Sequence, residues 1–326
     1  MLLVTGGAGF IGSNLIAALI ERGEDVAVCD RFRDGFKWRN LAKHAIVDQI
    51  DPDDLHEWLD YNGDEISAIF HMGAISATTE TDVDLIMESN FHMTMALYQW
   101  AVENDGRLIY ASSAATYGNG DMGFDDNEAI EAMSTLRPLN AYGWSKQLVD
   151  INIKKLAESG DTPKQWAGLK FFNVYGPNEY HKEGMRSVAH QLFEQIRDTG
   201  EAKLFKSHNP DYDDGGQMRD FIWVGDCVDV MLWLYDNEDV SGIFNCGSGK
   251  ARSFADLAQA TFSALDKPVK ITFRDTPENI RQHYQYFTEG SIAKLRARGF
   301  DGGGTSLEDG VEIYIRDYLS TNDIYR

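Results

Sequence analysis

The run VTGGAGFIGSN, residues 4–14, follows an apolar segment and opens a helix-like one, and it constrains the chain more than any other feature. Gly7, Gly9 and Gly12 satisfy G-x-G-x-x-G, with Gly6 added. Glycines at this spacing permit a tight turn and let bare backbone approach a pyrophosphate at a helix N-terminus, where free N–H groups and the helix dipole favour anions. The competing explanation is a turn that needs glycine only for packing. Asp30 stands 18 residues beyond Gly12, at the end of a second apolar strand, where an acid meets an adenosine ribose. Strand, turn, helix and acid together read as a dinucleotide site. Asp30 suits the ribose diol of NAD, whereas Arg31, Arg33, Lys37 and Arg39 suit a 2′-phosphate. As a group the cations tilt the expectation to NADP, with NAD as the other choice; for each singly, a solvated basic loop explains it equally well.

Residues 1–172 alternate strands and helices: MLLVTG, DVAVCD, AIFHMGA and RLIYASS read as strands, FIGSNLIAALIERG and a long helix through DLIMESNFHMTMALYQWAVEN as crossovers. AGLKFFNVYG reads as another buried strand. This is the βαβ pattern of an α/β protein with a doubly wound parallel sheet of the Rossmann type. From residue 173 to 326 the pattern loosens, notably in SHNPDYDDGGQM, and predicts a smaller, interleaved C-terminal substrate domain. DFIWVGDCVDVMLWLYD, at about 220–236, reads as a strand and helix that rejoin the first domain.

With 326 residues, 43% hydrophobic and 25% charged, the chain can bury a sizeable core, and its apolar runs fall short of a membrane span. Met1 runs into LLVTGG without the features of a signal peptide, so the expected location is the cytoplasm, away from any membrane. A formal charge of −22 argues against nucleic acid as a partner, which clustered cations would have to hold. Cys29, Cys227 and Cys246 are odd in number and widely spaced, which predicts reduced core residues and no metal site.

The stretch NAYGWSKQ puts Tyr142 and Lys146 four positions apart, on one face of a helix. An ammonium beside a phenol favours the phenolate, so Tyr142 is expected to serve as a base near neutral pH. YASSAATYG puts Ser113 just past a strand end, the edge where ligands sit in a doubly wound sheet, so its hydroxyl can bond a reacting oxygen. Alone, Tyr-x-x-x-Lys is commonly an accident of helical spacing; the glycine loop and the strand-end serine give it chemistry.

The glycine loop, Ser113 and Tyr142-x-x-x-Lys146 resemble the extended short-chain dehydrogenase/reductase superfamily, most closely its sugar-nucleotide epimerases and dehydratases, over residues 1 to about 320. HMGAISATTETD, YASSAATYGNG, FNVYGPNEYHKEGMRSVA, RDFIWVGD and RQHYQYFT are similar to the ADP-L-glycero-D-manno-heptose 6-epimerase family within it. The resemblance implies C6 epimerisation of an ADP-heptose for lipopolysaccharide core, by transient oxidation with bound nicotinamide dinucleotide and two proton-transfer groups. Those groups match Tyr142 and Lys182, which serve the two orientations of a ketone turning about C5–C6. From the residues alone Lys182 is an exposed loop lysine and His181 a loop hydrogen-bonder.

The same resemblance implies that Gly6, Gly9, Phe10, Ile11, Gly12, Asp30, Arg31, Lys37, Gly73, Ala74, Ser76, Asn90, Lys146 and Val174 hold the cofactor. It assigns Ser113, Asn173, Gly184, Gln191, Phe205, Lys206, Arg219 and Tyr284 to the substrate, and a homo-oligomer, a pentamer, to the assembly. A guanidinium at 219 suits a diphosphate, the competing role being an ion pair with Asp220. SHNPDYDDGGQM departs from the family by being longer and more acidic, which leaves substrate contacts there open. The alternative substrate class is a UDP- or dTDP-sugar, for an epimerase or dehydratase.

Overall fold

The computed structural model describes residues 1–33, 35–281 and 284–326. Its main sheet is built from β1 (Leu2–Thr5), β2 (Val26–Cys29), β3 (Asp48–Ile50), β4 (Ala68–His71), β5 (Arg107–Ser113), β6 (Gln165–Phe171) and β10 (Gly242–Cys246). The order is β10-β6-β5-β4-β1-β2-β3, every pair parallel. β1, β2, β4 and β10 are buried along their whole length, because helices cover both faces, and this explains their near-continuous apolar sequence. One face packs under α1 (Phe10–Glu21) and α8 (Val224–Asp236), through Leu15, Ile16, Leu19, Met231 and Leu234. The other packs under α2 (Leu55–Asn62), α4 (Met93–Glu103) and α6 (Ala141–Ser159), through Leu59, Leu97, Tyr98, Val149 and Ile153.

The strand order reverses beside β1, so the crevice for a ligand opens at the carboxyl ends of β1 and β4. A second lobe stands over that edge. It contains β7 (Asn173–Tyr175), α7 (Val188–Thr199), β8 (Ala202–Phe205), β9 (Met218–Trp223), β11 (Ala251–Ser253), α9 (Phe254–Ala264), β12 (Ile271–Arg274) and α12 (Leu307–Ile313), around Leu192, Phe193, Leu257, Phe262 and Tyr314.

Two segments differ from the sequence expectation. AGLKFFNVYG is not one strand: β6 ends at Phe171, and β7 leaves to pair with β9 in a separate three-stranded sheet. The break falls at Phe172, whose N–H donates to the Cys246 carbonyl (3.1 Å) while its ring packs among Tyr117 and Phe124. The long crossover is likewise interrupted, as α3 (Val83–Ile86) and α4 flank a π turn over Met87–His92. That turn holds the buried Asn90, and such bulges recur at functional sites because they re-aim a side chain. All three cysteines lie free in the core. No helix among the described residues is long and apolar enough to cross a membrane.

Candidate active site

The glycine loop is a cradle that side chains would fill. Gly6 has φ +64°, and a Cβ on it would lie 2.5 Å from the Gly73 nitrogen in the turn after β4. A Cβ on Gly12 would lie 2.4 Å from the Gly6 carbonyl oxygen, and one on Gly9 3.0 Å from it. α1 begins at Phe10, followed by Ile11, and no side chain caps it. Its leading N–H groups are therefore available to an anion. The residues present fit a nicotinamide dinucleotide, with the pyrophosphate against this loop. The Asn90 amide fixes the turn beyond Gly73: its carbonyl accepts from the Ile75 N–H (2.8 Å), and its Nδ2 donates to the Ile75 carbonyl (3.0 Å) and the Ser145 hydroxyl (3.1 Å). Ala74 and Ser76 in that turn stay exposed.

Asp30 is buried, and both its oxygens are engaged. Oδ2 accepts from the Ala8 N–H (2.9 Å) and Oδ1 from the Lys37 ammonium (2.5 Å). Arg31 turns away to pair with Asp53. Arg39 stacks over Phe36, 4.8 Å from the ring centre. Asn40, which sequence reasoning missed, ties this basic turn to its surroundings: its Nδ2 donates to the carbonyls of Ala8 (2.9 Å) and Asn178 (3.0 Å) and lies 3.3 Å from His181 Nδ1. In FKWRNLAKH it is one polar residue among several, and nothing in the sequence sets it apart.

Ser113 ends β5 and its hydroxyl accepts from the Ala115 N–H (3.1 Å). α6 starts alongside, where the Asn140 side chain caps it by accepting from the Gly143 N–H (2.9 Å). Gly143 allows the approach, since a Cβ there would lie 2.7 Å from the Ala115 carbonyl oxygen. Tyr142 thereby comes close enough to the Ser113 hydroxyl to feel it. Lys146, one turn on, is buried. Burial lowers its pKa to about 8, opposed by the Asp150 carboxylate. Next to it His71 is pushed down to about 3 by burial and then by Lys146, and sits neutral between Thr5 (2.6 Å) and Thr94 (2.9 Å).

The expected lowering of the Tyr142 pKa does not occur. Burial raises it, and the nearby Ser113 hydroxyl only partly offsets that. Desolvation of the phenolate dominates, and no charge from Lys146 offsets it.

Lys182 lies on a short 3₁₀ turn, Tyr180–Met185, with Glu183 at φ 48°. It is no exposed loop lysine: its ammonium stands 4.9 Å above the Phe10 ring, at the glycine loop, and burial lowers its pKa against the pull of Glu179. Glu179 is itself buried and accepts from the Ser187 N–H (2.5 Å) and hydroxyl (2.6 Å) and from the Tyr314 hydroxyl (2.9 Å). Gly184 is exposed, and the Gln191 amide donates to the Arg186 carbonyl (2.8 Å). Asn173 is exposed opposite Phe221, and the half-buried Val174 lies opposite Ile222.

In the second lobe Arg219 is buried between aromatic rings, 5.6 Å from Phe254 and 5.5 Å from Tyr284, and donates to the Met218 carbonyl (2.8 Å). It does not pair with Asp220. Neighbours on a strand point to opposite faces, and Asp220 instead accepts from Ser248 (2.7 Å), Gly249 (3.2 Å) and Gly290 (2.9 Å). Phe205 meets Tyr284 edge to face at 6.4 Å, and Lys206 lies 3.4 Å from Asp275. The long acidic loop folds back on this cluster, with Tyr212 on Tyr286 (5.2 Å) and the His208 N–H donating to the Tyr286 hydroxyl (3.1 Å). Gln282 and His283 of RQHYQYFT lie outside the described residues.

A glycine cradle at the switch point, with serine, tyrosine and lysine gathered at the same sheet edge, defines a dinucleotide-dependent α/β protein. Residues 2–247 match the model of the NAD dependent epimerase/dehydratase family. Relatives named ADP-L-glycero-D-manno-heptose-6-epimerase match end to end: one from Fusobacterium nucleatum is 46% identical over 100% of both chains, and one from Nitratidesulfovibrio vulgaris 48% over 99% of both. The crystal structure of the Helicobacter pylori ADP-L-glycero-D-manno-heptose-6-epimerase superposes with a TM-score of 0.80 at 28% identity, covering 98% of this chain and 96% of that one. The chain belongs to the NAD dependent epimerase/dehydratase family.

Proposed function

We infer that the chain is an isomerase that interconverts ADP-D-glycero-β-D-manno-heptose and its L-glycero epimer at C6. The observation that carries this is the end-to-end identity to heptose epimerases together with the Ser113–Tyr142–Lys146 cluster at the glycine-lined edge. A nicotinamide dinucleotide held by the loop of Gly6, Gly9 and Gly12 would supply reversible hydride acceptance at C6. Tyr142 takes the C6 hydroxyl proton in one orientation of the sugar, with the Ser113 hydroxyl bonding the same oxygen. Lys146, as an ammonium, would hold ribose hydroxyls of the dinucleotide beside Tyr142. Lys182 exchanges the proton in the other orientation, and its desolvated ammonium gives up a proton more readily than an exposed lysine would. Arg219 meets the substrate diphosphate, a role supported by a buried guanidinium that pairs with no carboxylate among the described residues.

The cofactor is NADP. What supports this is that the Lys37 ammonium sits on Asp30, the acid that would otherwise grip a ribose diol, and that Arg31, Arg33 and Arg39 are its neighbours in sequence. On the same reading the product is the activated heptose of lipopolysaccharide core, made in the cytoplasm by a homo-oligomer.

The test is turnover of a panel of sugar nucleotides by the purified protein, read by proton NMR. Conversion of the ADP-heptose, with UDP-glucose and dTDP-glucose untouched, is the expected result. Turnover of a UDP- or dTDP-sugar in its place overturns the assignment.

A further inference from the structure

Behind the Ser113–Tyr142–Lys146 cluster lies a charge pair that the chemistry above leaves unused. Asp150 follows Lys146 by four residues on α6, on the same face. It is fully buried and accepts from the Tyr110 hydroxyl (3.0 Å), the Ser112 hydroxyl (2.7 Å) and the Lys170 ammonium (2.7 Å). Lys170, on β6, is also buried; it donates to the Thr116 hydroxyl (2.8 Å) and lies 5.1 Å from the Tyr117 ring. Thr116 in turn donates to the Ser113 carbonyl (2.9 Å).

The pair thus touches the elements that carry Ser113 and Tyr142. Ser112 precedes Ser113 on β5, Thr116 closes the turn after it, and Asp150 extends the helical face of Tyr142 and Lys146. Burying two charges gains little stability over an apolar pair of equal size, so stability is a weak reason for the arrangement. We propose that Asp150 and Lys170 are positioning residues for the reaction: they clamp the Ser113 turn against α6, and Asp150 supplies the counter-charge to the Lys146 ammonium.

The electrostatic surroundings support the second half. Among the described residues, His71 from β4 and Asp150 from its own helix are the titratable groups acting on Lys146, with Tyr142 one turn before it. Those facing Asp150 are Lys170, Tyr110 and Tyr117, with Asp126 and Glu128 further along the same tyrosines. His71 is neutral, so Asp150 is the one charge that opposes the desolvation of Lys146.

The inference rests on the reading that Lys146 acts as an ammonium in the epimerase reaction, and its experiment separates the two. The variants are Asp150→Asn, Lys170→Met and the double variant, which removes both partners of the pair. The alkaline limb of kcat/KM for ADP-heptose should move about one unit to lower pH in both variants lacking Asp150, the scale of losing a close counter-charge. In Lys170→Met it should not move down. The Lys146 resonance in protein carrying ¹³Cε-lysine, assigned with Lys146→Arg, should titrate with the same shift and requires no turnover. A brace that acts only on packing would lower rates equally at every pH, and an unmoved limb with an unmoved resonance overturns the proposal. If the wild-type protein leaves ADP-heptose unchanged while the resonance shifts, the functional reading falls and the pairing stands.

Discussion

Replacing Gly143 by alanine sets helix stability against site geometry. Gly143 lies in the first turn of α6, where alanine gains about 1 kcal/mol of helix propensity over glycine. The new Cβ would come within 2.7 Å of the Ala115 carbonyl oxygen and 3.1 Å of the Pro138 Cβ. The first distance is too short for any ordinary contact, so α6 or the Ala114–Tyr117 turn must yield by a few tenths of an ångström. Both carry the reacting groups, Tyr142 on one and Ser113 at the base of the other. Propensity and crowding largely cancel in stability, so the melting temperature should stay within about 4 °C of wild type. Turnover should not be spared, because misplacement by half an ångström to an ångström costs ten- to a hundredfold in a proton-transfer site. A kcat about tenfold lower, with KM little changed, is the expected result of steady-state assays at saturating ADP-heptose. Wild-type kcat in a folded Gly143→Ala protein would refute the claim that close approach of α6 to the Ser113 turn sets the reaction geometry.

Other perturbations test separate parts. Tyr142→Phe and Lys182→Met should each lower kcat by about 10²-fold or more, the scale of losing a positioned acid or base; activity near wild type in both would remove the two-group scheme. Arg219→Ala should raise KM for the ADP-sugar by roughly ten- to a hundredfold, as expected for a lost charge-assisted bond, with kcat changed much less. Neutralising Lys37 and Arg31 together should weaken NADP more than NAD in direct binding assays; equal loss would show that neither cation meets a 2′-phosphate. His71 binds its proton near pH 3 in the folded chain and near 6.5 unfolded, so the unfolded state takes up protons first as pH falls through that window. Acidification from pH 7 to 5 should therefore cost about 2 kcal/mol through His71, and urea unfolding of His71→Asn should lose that part of the acid sensitivity.

The parts of the molecule legible in the sequence are those where a short stretch carries both the pattern and its cause. VTGGAGFIGSN shows its turn, its helix start and its anion cradle within one loop, and Tyr142 with Lys146 needs only the period of a helix. Features set by long-range packing stayed hidden. The sign of the Tyr142 shift depends on how completely the phenol is desolvated, which no spacing reveals. The engagement of Asp30 by Lys37 and the seating of Lys182 over Phe10 depend on loops that meet only in the fold. The strand break at Phe172 arises because its ring has an aromatic cluster to join, while the residues on either side read equally well as strand. Asp150 did leave a signal, an acid four residues after Lys146, but its partner Lys170 lies on another strand and looks like an ordinary charge in an apolar run.

The central claim is that hydride leaves C6 and returns within one molecule of protein. ADP-D-glycero-β-D-manno-heptose deuterated at C6, incubated in ordinary water with the purified protein, tests it in one measurement by NMR and mass spectrometry. The L-glycero epimer should form with its C6 deuterium retained. An epimer that has exchanged that deuterium for solvent hydrogen would mean epimerisation by proton abstraction, and would contradict the account.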